Sequence, residues 1–330
     1  MTTRPILPAL ALAAALSTAI SPVAAQDAGF PYVDENCGVS TTYDAPPERA
    51  VTLSNNATEV MLALGLEDHM VGTSYMANMA ISPRYEEAYN QIPILSPLVA
   101  TTEQLIEVEA DFVYAGYPDG FSESRHTRDQ LHDLGMKTRL NTEGCNLGRF
   151  GFEELYAEIR SVAAIFGVPE RGEAVVEELS GRVAAVEAAL EGVAPIPVFI
   201  YNGGEAAPNG VLGNTMLHQV VEAAGGTNIF GDIENRYGQV SWEQIAEGEP
   251  EYIVVFYSGT DGGQVVDDPD AQLGQGRIDM LNANPTIANV PAIIDQNFVL
   301  VSSVQGQPGP SSIDALERFA RAFHPEAFAD

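Results

Sequence analysis

The chain has 330 residues, 45% of them hydrophobic, and 46 acids against 15 bases give a formal net charge of −31. That length accommodates two domains, each with its own core. So acidic a surface excludes nucleic acid and anionic lipid as partners.

Residues 1–25 stand apart. Arg4 supplies a positive leader, Ile6 to Ile20 is an apolar run, and Val23-Ala24-Ala25 precedes Gln26. This is the pattern of a secretory signal peptide cleaved after Ala25. No Cys lies near the cleavage point, which argues against a lipid anchor. No later segment reaches 18 apolar residues, so no direct membrane insertion is expected. The expected location is the periplasm of a Gram-negative cell. The two cysteines, Cys37 and Cys145, remain after cleavage. In an oxidising compartment such a pair favours a disulfide, with two buried thiols as the alternative.

Gln26 to Glu48 reads as an irregular lead-in. Strands are expected at Ala50–Leu53, Met70–Thr73, Phe112–Ala115 and Lys137–Leu140. Helices are expected at Thr58–Leu64, Glu103–Val108 and Arg128–Leu134. Gly151–Phe166 follows as a helix, and then Pro169 to Leu190. In this last segment Val175, Leu179, Val183, Val186 and Leu190 share one face. At 1.5 Å per residue it is about 33 Å long. It is either a brace between two halves or a surface helix of one large domain.

The strand–helix pattern then restarts. Strands fall at Val198–Tyr201, Ile253–Phe256 and Phe298–Val301, with a Gly-rich loop at Gly203–Gly213. Helices fall at Met216–Ala224, capped by Asn214, at Trp242–Ala246 and at Ser311–Phe323, and Thr260–Gln275 reads as a polar loop. This alternation predicts an α/β fold with a parallel sheet in each half. The divisions are 26–150 for the first lobe, 151–191 for a helical connection built on helix 169–190, and 192–330 for the second lobe.

Catalytic groupings are missing from the sequence. There is no G-x-S-x-G and no Cys/His signature, no G-x-G-x-x-G and no P-loop lysine, Lys137 being the only lysine. His69, His126, His132, His218 and His324 are scattered and form no ligand spacing. The Asp261–Asp270 acids lack the calcium-loop pattern. No enzyme activity, bound metal or cofactor is therefore expected, and an exported α/β enzyme is the rival reading. In parallel α/β sheets ligands sit beyond the carboxyl ends of the strands. The residues placed there include Asn55, Tyr75, Tyr117, Arg125, Arg236, Tyr237, Trp242 and Tyr257. Aromatic rings offer stacking area and arginines pair with anionic oxygens. Each of these residues would serve equally well as loop packing.

Four stretches resemble one known family: Pro47–Tyr75, Leu105–Gly116, Ala224–Asp232 and Gly238–Val255. In order and spacing they are similar to the periplasmic substrate-binding proteins of iron-siderophore, haem and cobalamin ABC importers. The resemblance implies two α/β lobes joined by one long helix, acting as a monomer. It implies a metal chelate in the cleft, and because arginines and tyrosines there suit anionic, oxygen-rich chelates, a ferric siderophore or ferric citrate comes first and cobalamin or haem second. It also implies an ABC importer permease as partner, docked by one surface acid on each lobe. By position these acids match Glu103 in TTEQL and Glu243 in VSWEQI, although either is also an ordinary first-turn acid.

Overall fold

A computed structural model describes residues 29–75, 79–261 and 264–329. The expected leader, 1–25, lies outside the described residues.

The lead-in is not irregular. It folds as an antiparallel hairpin of β1 (Tyr32–Asn36) and β2 (Val39–Tyr43). Cys37 and Gly38 turn it, both at positive φ (55° and 77°), the geometry of the tightest hairpin turns. The first half then supplies β3 (Ala50–Thr52), β4 (Met70–Ser74), β5 (Ile94–Ser96), β6 (Phe112–Ala115) and β7 (Lys137–Leu140). They form one parallel sheet in the order β5-β4-β3-β6-β7. Its helices are α1 (Asn55–Ala63), α2 (Glu86–Tyr89), α3 (Thr102–Glu107) and α4 (Arg128–Asp133).

The hairpin covers the open edge of this sheet. The Asn36 side-chain amide donates to the Leu140 carbonyl at 2.8 Å and accepts from the Leu140 N–H at 2.9 Å. Cys37 and Cys145 form the expected disulfide. Arg139 on β7 is about 3% exposed. Its guanidinium lies between Asp34 of the hairpin and Glu158 of the following helix, 3.0 Å from Glu158 Oε2. Tyr114 donates its O–H to the same Glu158 at 2.7 Å.

Two helices carry the chain across, α5 (Phe152–Ile165) and α6 (Pro169–Ala189). Pro169 opens α6, where its missing N–H costs nothing. The buried face of α6 is Gly172, Val176, Leu179, Val183 and Val186. Val176 takes the place expected for Val175, and Leu190 is the half-buried C-cap. A Cβ on Gly172 would stand 2.6 Å from the Ala163 Cβ, so glycine permits the close crossing of α5 and α6.

The second half repeats the plan with β8 (Ile196–Tyr201), β9 (Asn209–Val211), β10 (Gly226–Asn228), β11 (Tyr237–Gln239) and β12 (Tyr252–Tyr257). After the short pair β13 (Thr260–Asp261) and β14 (Gln264–Val265) comes β15 (Phe298–Ser302). The sheet order is β11-β9-β8-β12-β15, and β10 also pairs with β8. β10, β8, β12 and β15 are parallel, while β9 and β11 are antiparallel. Its helices are α7 (Met216–Ala223), α8 (Trp242–Glu247), α9 (Gly276–Ala283), α10 (Pro291–Ile294), α11 (Ser303–Gly306) and α12 (Ser311–Phe323).

Three local expectations change here. The Gly-rich loop contains β9, because Asn209–Val211 pairs with β11. Thr215, not Asn214, caps α7 through its side chain. The polar stretch after Thr260 continues into α9, with no proline between Asp270 and Ala283 to stop it.

The architecture is thus two α/β lobes, the first on a wholly parallel sheet and the second on a sheet whose centre is parallel and whose β9 edge pairing is antiparallel, where a parallel sheet was expected. α6 packs on α5, α12 and α7. One apolar core runs from Ala50 and Phe112 in the first lobe, through Ile159 and Val183, to Leu217 and Phe319 in the second. Each fully buried aliphatic side chain contributes on the order of 1.5–3 kcal/mol, so the lobes are joined by packing as well as by chain.

Candidate functional site

In the first sheet, chain order reverses between β3 and β6. The crevice beyond that pair is where open α/β sheets take ligands. The loop after β3 runs directly into α1, which begins at Asn55, three residues before the expected start. A knot of hydroxyls fixes this turn: Thr52, Thr58 and Thr73 lie within 2.7–2.9 Å of one another. Beyond β6, Gly116 passes so close that a Cβ would stand 2.0 Å from Ser54 Oγ. Tyr117 follows at the crevice. In the second sheet the reversal falls between β8 and β12, and Tyr257 ends β12.

Four of the expected residues converge between the lobes. The Tyr75 and Tyr117 rings pack edge to face, with centroids 5.5 Å apart. Both rest on a small apolar cluster of Met79, Tyr257 and Val304. Tyr237, from the second lobe, is close enough to Tyr117 to influence its ionisation. Gln307 donates to the Tyr237 hydroxyl at 3.0 Å, and the Arg236 guanidinium carbon lies 5.4 Å from the centre of the Tyr237 ring. Tyr257 donates to Asp270 at 2.5 Å.

Burial is the leading cause of a raised pKa for all four phenols. The second cause is a neighbouring acid or phenol: Asp119 for Tyr75, Tyr75 for Tyr117, Glu143 for Tyr237 and Asp270 for Tyr257. Tyr237 is pushed up to about 12. The four phenols therefore stay neutral at physiological pH, with the Tyr257 O–H already donated to Asp270.

Arg236 is not a free cation. Its Nη2 lies 2.6 Å from Glu143 Oε1, and Glu143 is also held by the Met216 N–H at 2.8 Å. Burial pushes the Glu143 carboxyl up, and Arg236 and the Met216 N–H pull it back. The short charge-assisted contact keeps the pair ionised. Glu143 comes from the turn Thr142–Cys145, so the disulfide at Cys145 fixes the acid that crosses to the second lobe. Among the described residues, two buried atoms beside Tyr237 have no hydrogen-bond partner, Arg236 Nε and Gln307 Oε1. One can donate and the other accept, and buried polar atoms of this kind ordinarily find partners.

Asn55, also buried, turns inward. Its amide donates to the Met79 carbonyl and its oxygen accepts from Tyr89. Arg125 is exposed, near enough to Tyr75 to oppose the rise in its pKa. Trp242 belongs to a different group. It is about 9% exposed and packs with Tyr201 and Ile245 in the second lobe's own core. Its indole N–H donates to the Glu205 carbonyl at 3.1 Å.

Glu103 and Glu243 occupy matching places. α3 and α8 each begin with a complete capping box, Thr101 with Gln104 and Ser241 with Gln244. In both, the glutamate is the second helical residue, and both acids are exposed.

Sequence reasoning passed over Glu59 and Glu143. Glu59 is fully buried at the lobe junction. It accepts from the Ser82 N–H at 2.8 Å, the Ser311 N–H at 3.1 Å and the Ser311 O–H at 2.7 Å. Burial raises its pKa to about 7 against the pull of these bonds. The folded value lies above the unfolded one. Its stabilising contribution is therefore complete below the ordinary carboxylate range and is lost as pH rises through about 7.

The family model for periplasmic binding proteins matches residues 51–304. The chain belongs to this family. A cobalamin-binding protein of Halobacterium salinarum is 26% identical over 307 residues, covering 89% of this chain and 74% of that protein. A vitamin B12-binding protein of Vibrio parahaemolyticus is 24% identical over 64% of this chain and 72% of its own length. Among solved structures, a periplasmic binding protein from Veillonella parvula superposes with a TM-score of 0.77 at 25% identity. It covers 89% of this chain and 97% of that one. An ABC-type Fe3+-hydroxamate transport system protein from Saccharomonospora viridis gives 0.72 at 28% identity, covering 91% and 100%. The expected two-lobed α/β architecture is that of the family. No described helix is long and apolar enough to cross a membrane.

Proposed function

We propose that the chain captures an uncharged, amide-bearing metal chelate in the tyrosine-lined cleft and hands it to an ABC importer permease in the periplasm. A ferric hydroxamate is the first candidate. The observation that carries this reading is the set of neutral phenols around two unpartnered buried atoms, Arg236 Nε and Gln307 Oε1. An amide-bearing chelate offers an acceptor to the one and a donor to the other. Ferric citrate suits the cleft poorly, because Glu143 already neutralises Arg236 and Asp270 stands beside Tyr257. The Saccharomonospora relative, whose name gives a Fe3+-hydroxamate system, supports this choice. The relatives named for cobalamin favour a second reading, a corrinoid, which is also amide-rich. Equilibrium dialysis against a neutral ferric trihydroxamate, cyanocobalamin, haem and ferric citrate ranks these ligands.

Glu103 and Glu243 serve as the docking acids in this reading, one at the same place on each lobe. Exposed pairs are individually weak, and their value is orientation. Reversing both to lysine is expected to reduce uptake in cells at least about tenfold while chelate affinity stays within about twofold. Unchanged uptake in the double variant contradicts the assignment.

A further inference from the structure

A cavity of about 270 Å³ lies on the first lobe between β2 and the turn from α4 into β7, with Thr41, Thr42, His132 and Lys137 among its lining. Lys137 opens β7, so the cavity sits at the amino end of that strand, away from the strand ends that face the cleft. The hairpin turns on two residues, which makes Asn36 with Val39 and Asp34 with Thr41 its hydrogen-bonded pairs. The N–H groups of Ser40 and Thr42 therefore point away from β1, to the open edge of β2. Thr41 is about 4% exposed, and its hydroxyl has no hydrogen-bond partner among the described residues. Ser40 Oγ is already used, donating to Glu35 at 2.6 Å. His132 Nε2 lies 2.7 Å from Thr138 Oγ1, which leaves Nδ1.

Charge at this cavity runs against that of the chain. Lys137, exposed at its rim, is the only lysine in a chain of net charge −31. Behind His132, all three bonds of Arg128 go to neutral acceptors. They are the Asn36 carbonyl at 2.7 Å and the Thr138 carbonyl and hydroxyl, each at 2.9 Å. Burial lowers the His132 pKa first, and Arg128 and Lys137 lower it further, each by more than Asp129 or Asp133 raises it. The local field is therefore positive. We propose that this cavity is a binding site for a small tetrahedral oxyanion, of the class of inorganic phosphate or sulfate, held by the Lys137 ammonium, the Thr41 hydroxyl and the outward N–H groups of Ser40 and Thr42. Such an ion gains charge-assisted bonds and supplies the acceptor that the buried Thr41 O–H lacks. Its separate oxygens meet donors on facing walls better than a planar carboxylate does. Once bound, it ties the β1–β2 hairpin to α4 and β7. The site shares no residue with the cleft and does not rest on the chelate reading.

Titration of the full chain with sodium phosphate, sulfate and acetate, followed by amide NMR at an ionic strength held constant with sodium chloride, tests the site. The Ser40 and Thr42 amides are expected to shift saturably with phosphate or sulfate, with a Kd below about 1 mM, and acetate is expected to bind at least about tenfold more weakly. Lys137→Gln, at an exposed position, should weaken the tetrahedral ion about tenfold. Thr41→Val should weaken it about fivefold. Arg160→Gln is the control, since Arg160 is an exposed base paired with Glu173 on the helical connection, and it should leave the affinity within about twofold. No saturation up to about 20 mM, or Lys137→Gln binding as the wild type does, means an adventitious ion only and overturns the proposal. So does an equal loss in Arg160→Gln, which would reflect general screening of an acidic surface. Acetate binding as tightly as phosphate overturns the assignment of a tetrahedral ion. Should Thr41→Val fail to fold, Lys137→Gln decides alone.

Discussion

Arg139→Leu is expected to destabilise the fold by about 3–5 kcal/mol, the typical cost of breaking a buried ion pair from one side. Arg139 and Asp34 are about 3% exposed and Glu158 about 1%. Without the guanidinium two acids remain in an apolar setting, and the hydrogen bonds from Tyr114 and Thr142 reach only one of them, Glu158. The same substitution frees the β1–β2 hairpin from the edge of the first sheet. Urea unfolding followed by circular dichroism measures it. A midpoint shift worth less than about 1 kcal/mol would show that the network contributes little. Partial rescue is expected from Asp34→Asn in the Arg139→Leu background, because it removes one of the stranded charges.

Opening the Cys37–Cys145 disulfide is expected to cost about 4–5 kcal/mol. The bridge closes a span of 108 residues, and loop-closure entropy in the unfolded chain grows with that length. The consequence reaches the cleft. Cys145 ends the turn that carries Glu143, and Glu143 holds Arg236 and the Met216 N–H of the second lobe. Cys37→Ala with Cys145→Ala should therefore lower both stability and chelate affinity. Loss of stability with affinity unchanged would disconnect the bridge from the site. The disulfide and Arg139 secure the same hairpin, so their combined loss should fall short of the sum.

Much of this was legible in the residues. α6 begins at Pro169 as expected and ends one residue short of Leu190, because helix periodicity and a first-turn proline are strong local signals. The capping boxes of α3 and α8, Thr101…Gln104 and Ser241…Gln244, follow the S/T-x-x-Q pattern of a helix start. The tyrosines were legible because strand ends define the cleft in parallel sheets. The hairpin was not, since a short two-stranded edge bracketed by prolines carries little periodic signal. Trp242 was misleading for a geometric reason. It is the first residue of α8, and that position turns the indole into the second lobe's core. Glu59 and Glu143 look in sequence like surface acids of a very acidic chain, and only tertiary packing shows them buried and bonded across the lobes.

Trp242 sits apart from the tyrosines, so its fluorescence is a poor reporter. Equilibrium dialysis reading the chelate's own absorbance tests the cleft most directly, on the wild type and on Tyr117→Ala and Tyr237→Ala. The account predicts a Kd below about 1 μM for a neutral ferric trihydroxamate or a corrinoid, and at least about tenfold weaker binding in each variant. Wild-type binding no tighter than about 10 μM for every chelate in the panel, or variants that bind as the wild type does, would contradict it.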